Sequence, residues 1–459
     1  MQMPVFRNRI VGPRGHIYRL SSRRAGSLLS SLMLLALAAC QMFPAPQQTP
    51  AGEITGTPAV TQPAPKITPT SSDASLPTDG SPGPVTLRVW LPAQFDPSAD
   101  TLAGDILFAR LHEFTSQNTG TRIEVRLKAL EGTGGLLDSL AAANAAAPLA
   151  LPDLIALPRP LLESAALKGL LYPYDGLSEL MTDDSWYDYA RQLAYLQESV
   201  FGLPFAGDAQ ALVYRPVALD VPPRDWESAL GFGSPLAFSA ADPRALFTIS
   251  QYQAFGGAVW DNQGRPMLDE AALTQVLSFY QRASQAGMMP VWLTQLETDE
   301  QVWQAFAEEQ ASMAIAWTSS YLSKSADLAF ETMIAPQITS DGSVYTLATG
   351  WVWALASPDS ARRQLAAQLA EFLVDVQFLA EWDTATGYLP PHIDALAGWG
   401  DEELRPLVGR ISLTAQLVPS EDLLASLGPA LEEAVILVLK QQADPQTAAK
   451  IAAERVNQP

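Results

Sequence analysis

The sequence has very little cysteine and histidine, and it is short of positive charge. One cysteine in 459 residues excludes an internal disulfide and any site built from several cysteines, such as structural zinc or an iron–sulfur cluster. Three histidines leave little material for a histidine-based metal site or catalytic triad. With 28 Lys and Arg against 49 Asp and Glu, the chain repels phosphate backbones and anionic lipid. We therefore expect no metal, no cofactor and no nucleic-acid partner.

Motifs for catalysis are missing as well. His112-Glu113 resembles the start of a zinc-protease helix, but Ser116 stands where the second histidine is required. The glycines at 132–135 precede a helical pattern as in a phosphate loop, yet Leu137 occupies the third glycine position. No G-x-S-x-G nucleophile motif is present. We predict no catalytic residue, although two carboxylates that converge in space would suit a secreted carbohydrate-active hydrolase, and that alternative stays open.

The first 40 residues have the pattern of an export signal. Residues 1–39 contain six arginines and no acidic residue, and their apolar run at 28–39 is shorter than the roughly 20 residues that a membrane helix needs. The ending Leu37-Ala38-Ala39-Cys40 resembles the lipobox of bacterial lipoproteins. We expect a lipoprotein signal peptide over 1–39 and a lipid on Cys40 that anchors the protein to a membrane, on the extracytoplasmic face of the cell envelope. A secretory signal in which Cys40 has no role is the alternative.

Residues 40–84 have the composition of a disordered tether. The segment is rich in Pro, Thr, Ser and Gln, and it shows no apolar periodicity. Such a stretch buries too little apolar surface to offset the entropy lost on ordering. We expect the folded body to begin at residue 85.

Hydrophobic periodicity over residues 85–459 predicts an α/β fold. Alternation at 85–90 predicts a strand, spacing at 102–118 a helix, and the same order continues through 123–127, 136–147 and 154–157. This order indicates a mostly parallel sheet flanked by helices, whose ligands bind beyond the carboxyl ends of the strands. Further strands are predicted at 211–214, 312–317 and 349–356, and further helices at 270–286, 301–310, 361–379, 428–439 and 445–456.

Five short motifs together resemble those of one protein family. They are GLLYPYD at 169–175, GLPFAGD at 202–208, PRDW at 223–226, FAEEQASM at 306–313 and GYLP at 387–390. The ordered set is similar to the extracellular solute-binding proteins of the maltose- and sugar-binding group, which serve importers of the ATP-binding-cassette (ABC) type. The resemblance extends over residues 85–459.

The resemblance implies a two-lobed periplasmic-binding-protein fold of type II, with a mostly parallel sheet in each lobe and a hinge of three crossings. Lobe one is expected at 85–208 and 336–357, and lobe two at 212–332 and 360–459. The implied function is capture of a solute, usually a sugar or oligosaccharide, by a monomer that delivers it to ABC permease subunits without catalysis. A receptor that serves a sensor is a further alternative. The solute itself, whether sugar, phosphorylated polyol or peptide, stays open.

The candidate ligand-binding residues combine flat aromatic rings, which stack on sugar rings, with one carboxylate, which accepts hydrogen bonds from hydroxyl groups. Helical or strand patterns predict core positions for Trp226, Trp303, Trp353 and Trp382. The predicted ligand-binding residues are Asp208, Trp317, Trp351, Tyr321, Phe205, Tyr388 and Trp90.

Overall fold

The computed structural model describes residues 84–400 and 402–457, which form eleven strands and fifteen α-helices. Cys40, the signal peptide and nearly all of the predicted tether lie outside the described residues. The strands are β1 (Val85–Pro92), β2 (Thr121–Lys128), β3 (Leu154–Pro158), β4 (Tyr195–Leu196), β5 (Ser199–Val200), β6 (Leu203–Tyr214), β7 (Leu236–Ala237), β8 (Met313–Trp317), β9 (Met333–Ala335), β10 (Thr346–Leu355) and β11 (Ala415–Leu417). The helices are α1 (Leu102–Gln117), α2 (Leu136–Ala146), α3 (Arg159–Leu167), α4 (Asp188–Ala194), α5 (Trp226–Leu230), α6 (Leu246–Ala254), α7 (Glu270–Gln285), α8 (Asp299–Ala307), α9 (Thr318–Lys324), α10 (Ser360–Phe372), α11 (Val376–Thr386), α12 (Ile393–Leu396), α13 (Arg405–Thr414), α14 (Glu421–Leu439) and α15 (Pro445–Asn457).

The α/β fold predicted from the sequence is confirmed. A nine-stranded sheet has the order β2-β1-β3-β10-β6-β8-β7, with β11 paired to β10 and β9 paired to β6. Strands β1, β2 and β3 are parallel, as are β7 and β8. Strand β6 belongs to both halves of the sheet, because its residues 203–209 pair with β10 and its residues 210–214 pair with β8.

Polar side chains fix where the predicted helices begin. Thr101 caps α1, Asp269 caps α7 and Thr298 caps α8 by accepting hydrogen bonds from backbone N–H groups of the first turn. The single helix predicted at 361–379 is wrong, since α10 ends at Phe372 and Asp375 caps the start of α11. Asp375 accepts from the Gln377 and Phe378 N–H groups, and such a local side-chain bond competes with continuation of the preceding helix.

Both faces of the sheet are covered by core side chains. From Trp351 onward, successive residues of β10 alternate between the two clusters, with Trp351 and Trp353 in the larger one and Val352 and Ala354 in the smaller one. A strand buried on both faces reads as a continuous apolar run, which is how 349–356 reads in the sequence. The predicted core positions of Trp226, Trp303, Trp353 and Trp382 are confirmed by their burial.

The helices after residue 360 pack in two groups. Helix α10 contacts β3 and β10, and α11 contacts α1. Strand β11 pairs with β10, and α14 then contacts α6 and α7. Residues 360–417 therefore lie against the part of the chain predicted as lobe one, whereas the sequence prediction placed them in lobe two. The strand β11, which returns the chain to β10, has only three residues and is too short to leave a periodic signal in the sequence.

Candidate functional site

The strand directions build a crevice at the middle of β6. Strand β3 is antiparallel to β10, which is antiparallel to β6, so β1 to β3 point the same way as β6. Strand β8 is antiparallel to β6, and β7 follows β8. The carboxyl ends of β1 to β3 therefore face the carboxyl ends of β7 and β8 across Ala209 and Gln210. Loops at the carboxyl ends of such strands are where α/β sheets bind ligands.

Asp208 joins the crossing strand β6 to helix α9. The residue is 8% exposed, and its carboxylate accepts hydrogen bonds from Thr318 Oγ1 at 2.8 Å, from the Ser319 N–H at 3.0 Å and from Ser319 Oγ. Burial raises the pKa of Asp208 to about 6, and the hydrogen bonds from Ser319 and Thr318 oppose this rise. Both carboxylate oxygens are engaged by protein groups. This geometry favours a hinge role for Asp208 over the predicted contact with a ligand.

Trp317 lies at the carboxyl end of β8, on the rim of the crevice. It is partly exposed, and its indole N–H donates a hydrogen bond to Asp299 Oδ2 at 2.7 Å. Asp299 is the first residue of α8, and burial raises its pKa above the usual range while the bond from Trp317 opposes the rise. The Trp317 ring is thus held in one orientation with part of its surface accessible, as stacking on a ligand requires.

Trp351 and Tyr388 belong to one aromatic cluster at the other edge. The Trp351 ring meets Phe95 edge-on at a centroid distance of 4.9 Å, and Phe95 lies 5.9 Å from the Tyr388 ring. The Tyr388 hydroxyl accepts a hydrogen bond from Gln94 Nε2 at 3.0 Å. Burial is the main cause that raises the Tyr388 pKa. Trp351 is only 7% exposed in this conformation, so Tyr388 and Gln94 are its more accessible neighbours.

Three predicted site residues lie in packed surroundings. Phe205 is 1% exposed and stacks on Trp353 at 4.4 Å. Trp90 is 3% exposed within the smaller core cluster, with Lys128 Nζ 4.7 Å from its ring centroid. Tyr321 is 9% exposed, and its hydroxyl lies 3.4 Å from the Thr332 carbonyl oxygen. This burial favours a packing role for these three side chains over the predicted contact with a ligand.

A cavity of about 430 Å³ lies between α9 and the end of α11. Leu322 and Ser323 of α9 line one side of it, and Thr384 and Gly387 at the end of α11 line the other. Gly387 has φ 76°, a left-handed conformation that ends α11 and turns the chain toward Tyr388. The cavity therefore opens between the helix that Asp208 holds and the loop that carries Tyr388.

A buried hydrogen-bond network links two of the crossings. Gln337, between β9 and β10, donates from Nε2 to Gln210 Oε1 and to Thr346 Oγ1, each at 3.2 Å, and its Oε1 accepts from Ser250 Oγ at 3.2 Å. All four residues are at most 4% exposed. Because Gln210 lies on β6, Thr346 on β10 and Ser250 on α6, the network fixes the second half of the sheet against the hinge.

The sequence reading missed Ser319, Gln94, Asp299 and Gln337. Only Ser319 had a usable signal, because Thr and Ser directly after a strand favour the start of a helix. Gln337 is 127 residues from Gln210, and Gln94 is 294 residues from Tyr388. Side chains so far apart in the chain leave no local pattern.

Comparison with known proteins decides the family. The family model of bacterial extracellular solute-binding proteins matches residues 109–403. The chain belongs to this family. As a bacterial extracellular solute-binding protein, it binds a solute on the extracytoplasmic side, and the family consists of binding proteins, not enzymes. Within the described ranges, no helix combines the length and the apolar character needed to cross a membrane.

Solved structures of binding proteins share the two-lobed fold. The cyclic α-maltosyl-1,6-maltose binding protein of Arthrobacter globiformis is 18% identical, with a TM-score of 0.67 over 82% of this chain and 98% of that one. The maltose-binding periplasmic protein of Listeria monocytogenes, in complex with maltose, is 15% identical, with a TM-score of 0.66 over 81% and 96%. UgpB of Mycobacterium tuberculosis, in complex with glycerophosphocholine, is 17% identical, with a TM-score of 0.61 over 82% and 98%. No curated protein matches the chain significantly.

Proposed function

We propose that this solute-binding protein captures a sugar or oligosaccharide between two lobes and delivers it to the permease subunits of an ABC importer. The observation that carries the proposal is the crevice itself, where two sets of strand ends face each other and the partly exposed Trp317 stands on one rim. Several structures with this fold hold maltose, maltotetraose or tagatose. A flat indole beside polar side chains is suited to a sugar ring.

The proposed lobes follow the packing. Lobe one takes 85–208 and 336–417, and lobe two takes 212–332 and 421–457, with the third crossing at 418–420. Closure about these crossings would bring Trp317 of lobe two toward Gln94 and Tyr388 of lobe one. A closed form presents one continuous surface made by both lobes, which a permease can distinguish from the open form.

The solute is found by a thermal-shift screen against a library of neutral sugars, followed by calorimetry on the hits. A sugar at 100 times its Kd adds about 2.7 kcal/mol of stability. We expect at least one neutral mono- or oligosaccharide to bind. Release of reducing sugar from a polysaccharide would instead indicate the hydrolase, and the absence of any hit among sugars would contradict the proposal.

Trp317 is the side chain that best tests the site. We expect Trp317→Ala to weaken sugar binding by about 1 to 3 kcal/mol, the range for an aromatic contact at a binding hot spot. Trp303, which is 6% exposed on α8, gives the matched control. We expect Trp303→Ala to cost about 3 to 5 kcal/mol of unfolding free energy with affinity preserved in the folded fraction. Unchanged affinity in Trp317→Ala would place the site elsewhere.

The proposed membrane attachment rests on Cys40. We expect Cys40→Ser to release the protein from the membrane fraction, because attachment depends on buried acyl chains at about 0.8 kcal/mol per CH₂. Deletion of 41–83 should leave the melting temperature and the sugar affinity unchanged, since we propose that this tether packs on nothing. A serine variant that stays membrane-bound would contradict the lipid anchor.

A further inference from the structure

The cations at the crevice edges are already engaged. Arg159, directly after β3, donates from Nη1 to the carbonyl oxygens of Leu193 and Tyr195 at 2.9 and 3.0 Å, and from Nε to Glu163. Arg244, in the loop after β7, has its Nε 3.8 Å from Asp242 Oδ1. Lys128, which ends β2, places Nζ over the Trp90 ring. To bind one of these three cations, an anion would have to displace the partner that the cation contacts now.

The cations beside the cavity are engaged in the same way. Lys324, at the end of α9, forms an ion pair with Glu300. Arg405 donates from Nε to the carbonyl oxygen of Trp399 at 2.6 Å and lies 3.8 Å from Glu402. Neither Lys324 nor Arg405 is therefore free to bind an anionic group of a ligand in the cavity.

Backbone N–H groups at helix starts are the other usual anion site, and at the start of α9 the chain supplies its own anion. Asp208 accepts from the Ser319 N–H at the start of α9. Asp242 accepts from the Arg244 N–H at 2.9 Å, in the turn that leads into α6, and Asp138 accepts from the Gly134 N–H at 2.8 Å, ahead of α2. At the start of α9, the Asp208 carboxylate occupies the position where a phosphate or carboxylate of a ligand would otherwise bind, whereas Asp242 and Asp138 bind N–H groups that precede the first turns of α6 and α2.

We infer that the cleft admits solutes without an anionic group and rejects their phosphorylated or carboxylated counterparts. The inference deepens the proposed function and rests on it. An anion in this crevice would lie near the carboxylates of Asp208, Asp242 and Asp299, with no cation released to meet it. Like charges brought together in a partly desolvated site repel strongly. The fold does not impose this choice, because UgpB has the same fold and holds glycerophosphocholine.

Matched pairs of ligands test the inference. Calorimetry compares glucose with glucose 6-phosphate and with glucuronate, galactose with galactose 1-phosphate, and the best neutral hit of the sugar screen with its phosphate ester. Glycerophosphocholine, a zwitterionic phosphodiester, and glycerol 3-phosphate, a phosphate monoester, are added as phosphate ligands that contain no sugar. We expect each neutral member that binds to exceed its anionic counterpart by at least about 100-fold in affinity.

A phosphorylated member that binds as tightly as its neutral partner, or a phosphate ligand that alone binds, overturns the inference and leaves a solute-binding protein in place. If nothing in either series binds, the proposed function fails, and the inference fails with it.

A charge variant shows where the discrimination arises. We expect Asp242→Asn to narrow the neutral-to-phosphorylated affinity ratio at least about threefold at low salt, because it removes one buried negative charge beside Arg244. Asp220, exposed in a surface loop, is the matched control, and Asp220→Asn should leave the ratio unchanged. Should Asp242→Asn fail to fold, Asp96→Asn, in the loop after β1, makes the same test at the opposite edge. A ratio that neither crevice variant changes would overturn the role of these carboxylates.

Discussion

Ser319 donates both its backbone N–H and its hydroxyl to the Asp208 carboxylate, so the first turn of α9 is fixed to the crossing strand β6. The two residues lie 111 positions apart in the chain. A movement of α9 therefore requires either that β6 bends with it or that these hydrogen bonds break. The carboxylate that the sequence predicts as a ligand group also links strand β6 to helix α9 in the fold.

The first prediction concerns the pH dependence that Asp208 contributes. Its pKa is raised from 3.8 to about 6, so the folded state holds this proton more tightly than the unfolded state does. Stability from this group is full below about pH 4 and is lost as the pH rises through about 6, a change of about 3 kcal/mol. We expect the unfolding free energy of Asp208→Asn, measured in urea, to fall less over this window than that of the wild type. Parallel pH profiles for the two proteins would contradict the assignment.

A second prediction concerns the pair of Trp317 and Asp299. Replacing Trp317 by Phe keeps a stacking ring but removes the donor to a buried carboxylate. We expect a loss of about 1 to 3 kcal/mol in unfolding free energy, with a smaller loss of sugar affinity than in Trp317→Ala. The double variant with Asp299→Asn should lose less than the sum of the two single changes. Strict additivity would mean that this hydrogen bond does not stabilise the protein.

The buried network around Gln337 gives a third prediction. Gln337→Met keeps the volume but leaves Gln210, Thr346 and Ser250 without their shared partner. We expect a loss of about 1 to 3 kcal/mol in unfolding free energy. Gln377, exposed on α11, is the control, and Gln377→Met should change stability by less than about 0.5 kcal/mol. Equal stability of the two variants would show that the network is not coupled to the fold.

The fourth prediction uses a close approach inside the crossing strand. A Cβ added at Gly207 would lie 2.1 Å from the Tyr189 hydroxyl and 2.9 Å from the Leu389 carbonyl oxygen. We expect Gly207→Ala to cost about 1 to 3 kcal/mol. Tyr189→Phe removes the nearer of these atoms, so the double variant should recover part of the loss in a denaturant melt. No recovery would place the strain at Leu389.

Regular elements were predictable because they depend on local spacing. The helix predicted at 270–286 and the strand predicted at 85–90 match α7 and β1 closely. Both signals, capping by Asp269 and alternation along β1, depend on residues that are adjacent in the sequence. The length of β6 was not predictable, because its two halves are stabilised by different partners, β10 and β8.

The site was less predictable than the fold. Trp317 stands at a strand end, where the sequence placed it, but the carboxylate that orients it belongs to α8 and left no local signal. Phe205 and Trp90 resemble ligand residues in sequence because aromatic side chains suit both cores and sugar sites. At 1% and 3% exposure both side chains pack in the core of this structure, and burial is decided by packing partners far along the chain.

The three crossings meet in one small piece of sheet. Ala348 on β10 pairs with Ala209 on β6 and with Leu417 on β11, and its carbonyl oxygen accepts from the Val418 N–H at 2.8 Å. Because these segments are hydrogen-bonded side by side, they bend together, whereas separate loops would bend independently. They resist shear within the plane of the sheet and yield most easily to curvature out of it. If the lobes close as proposed above, out-of-plane bending of this piece of sheet would accommodate the movement.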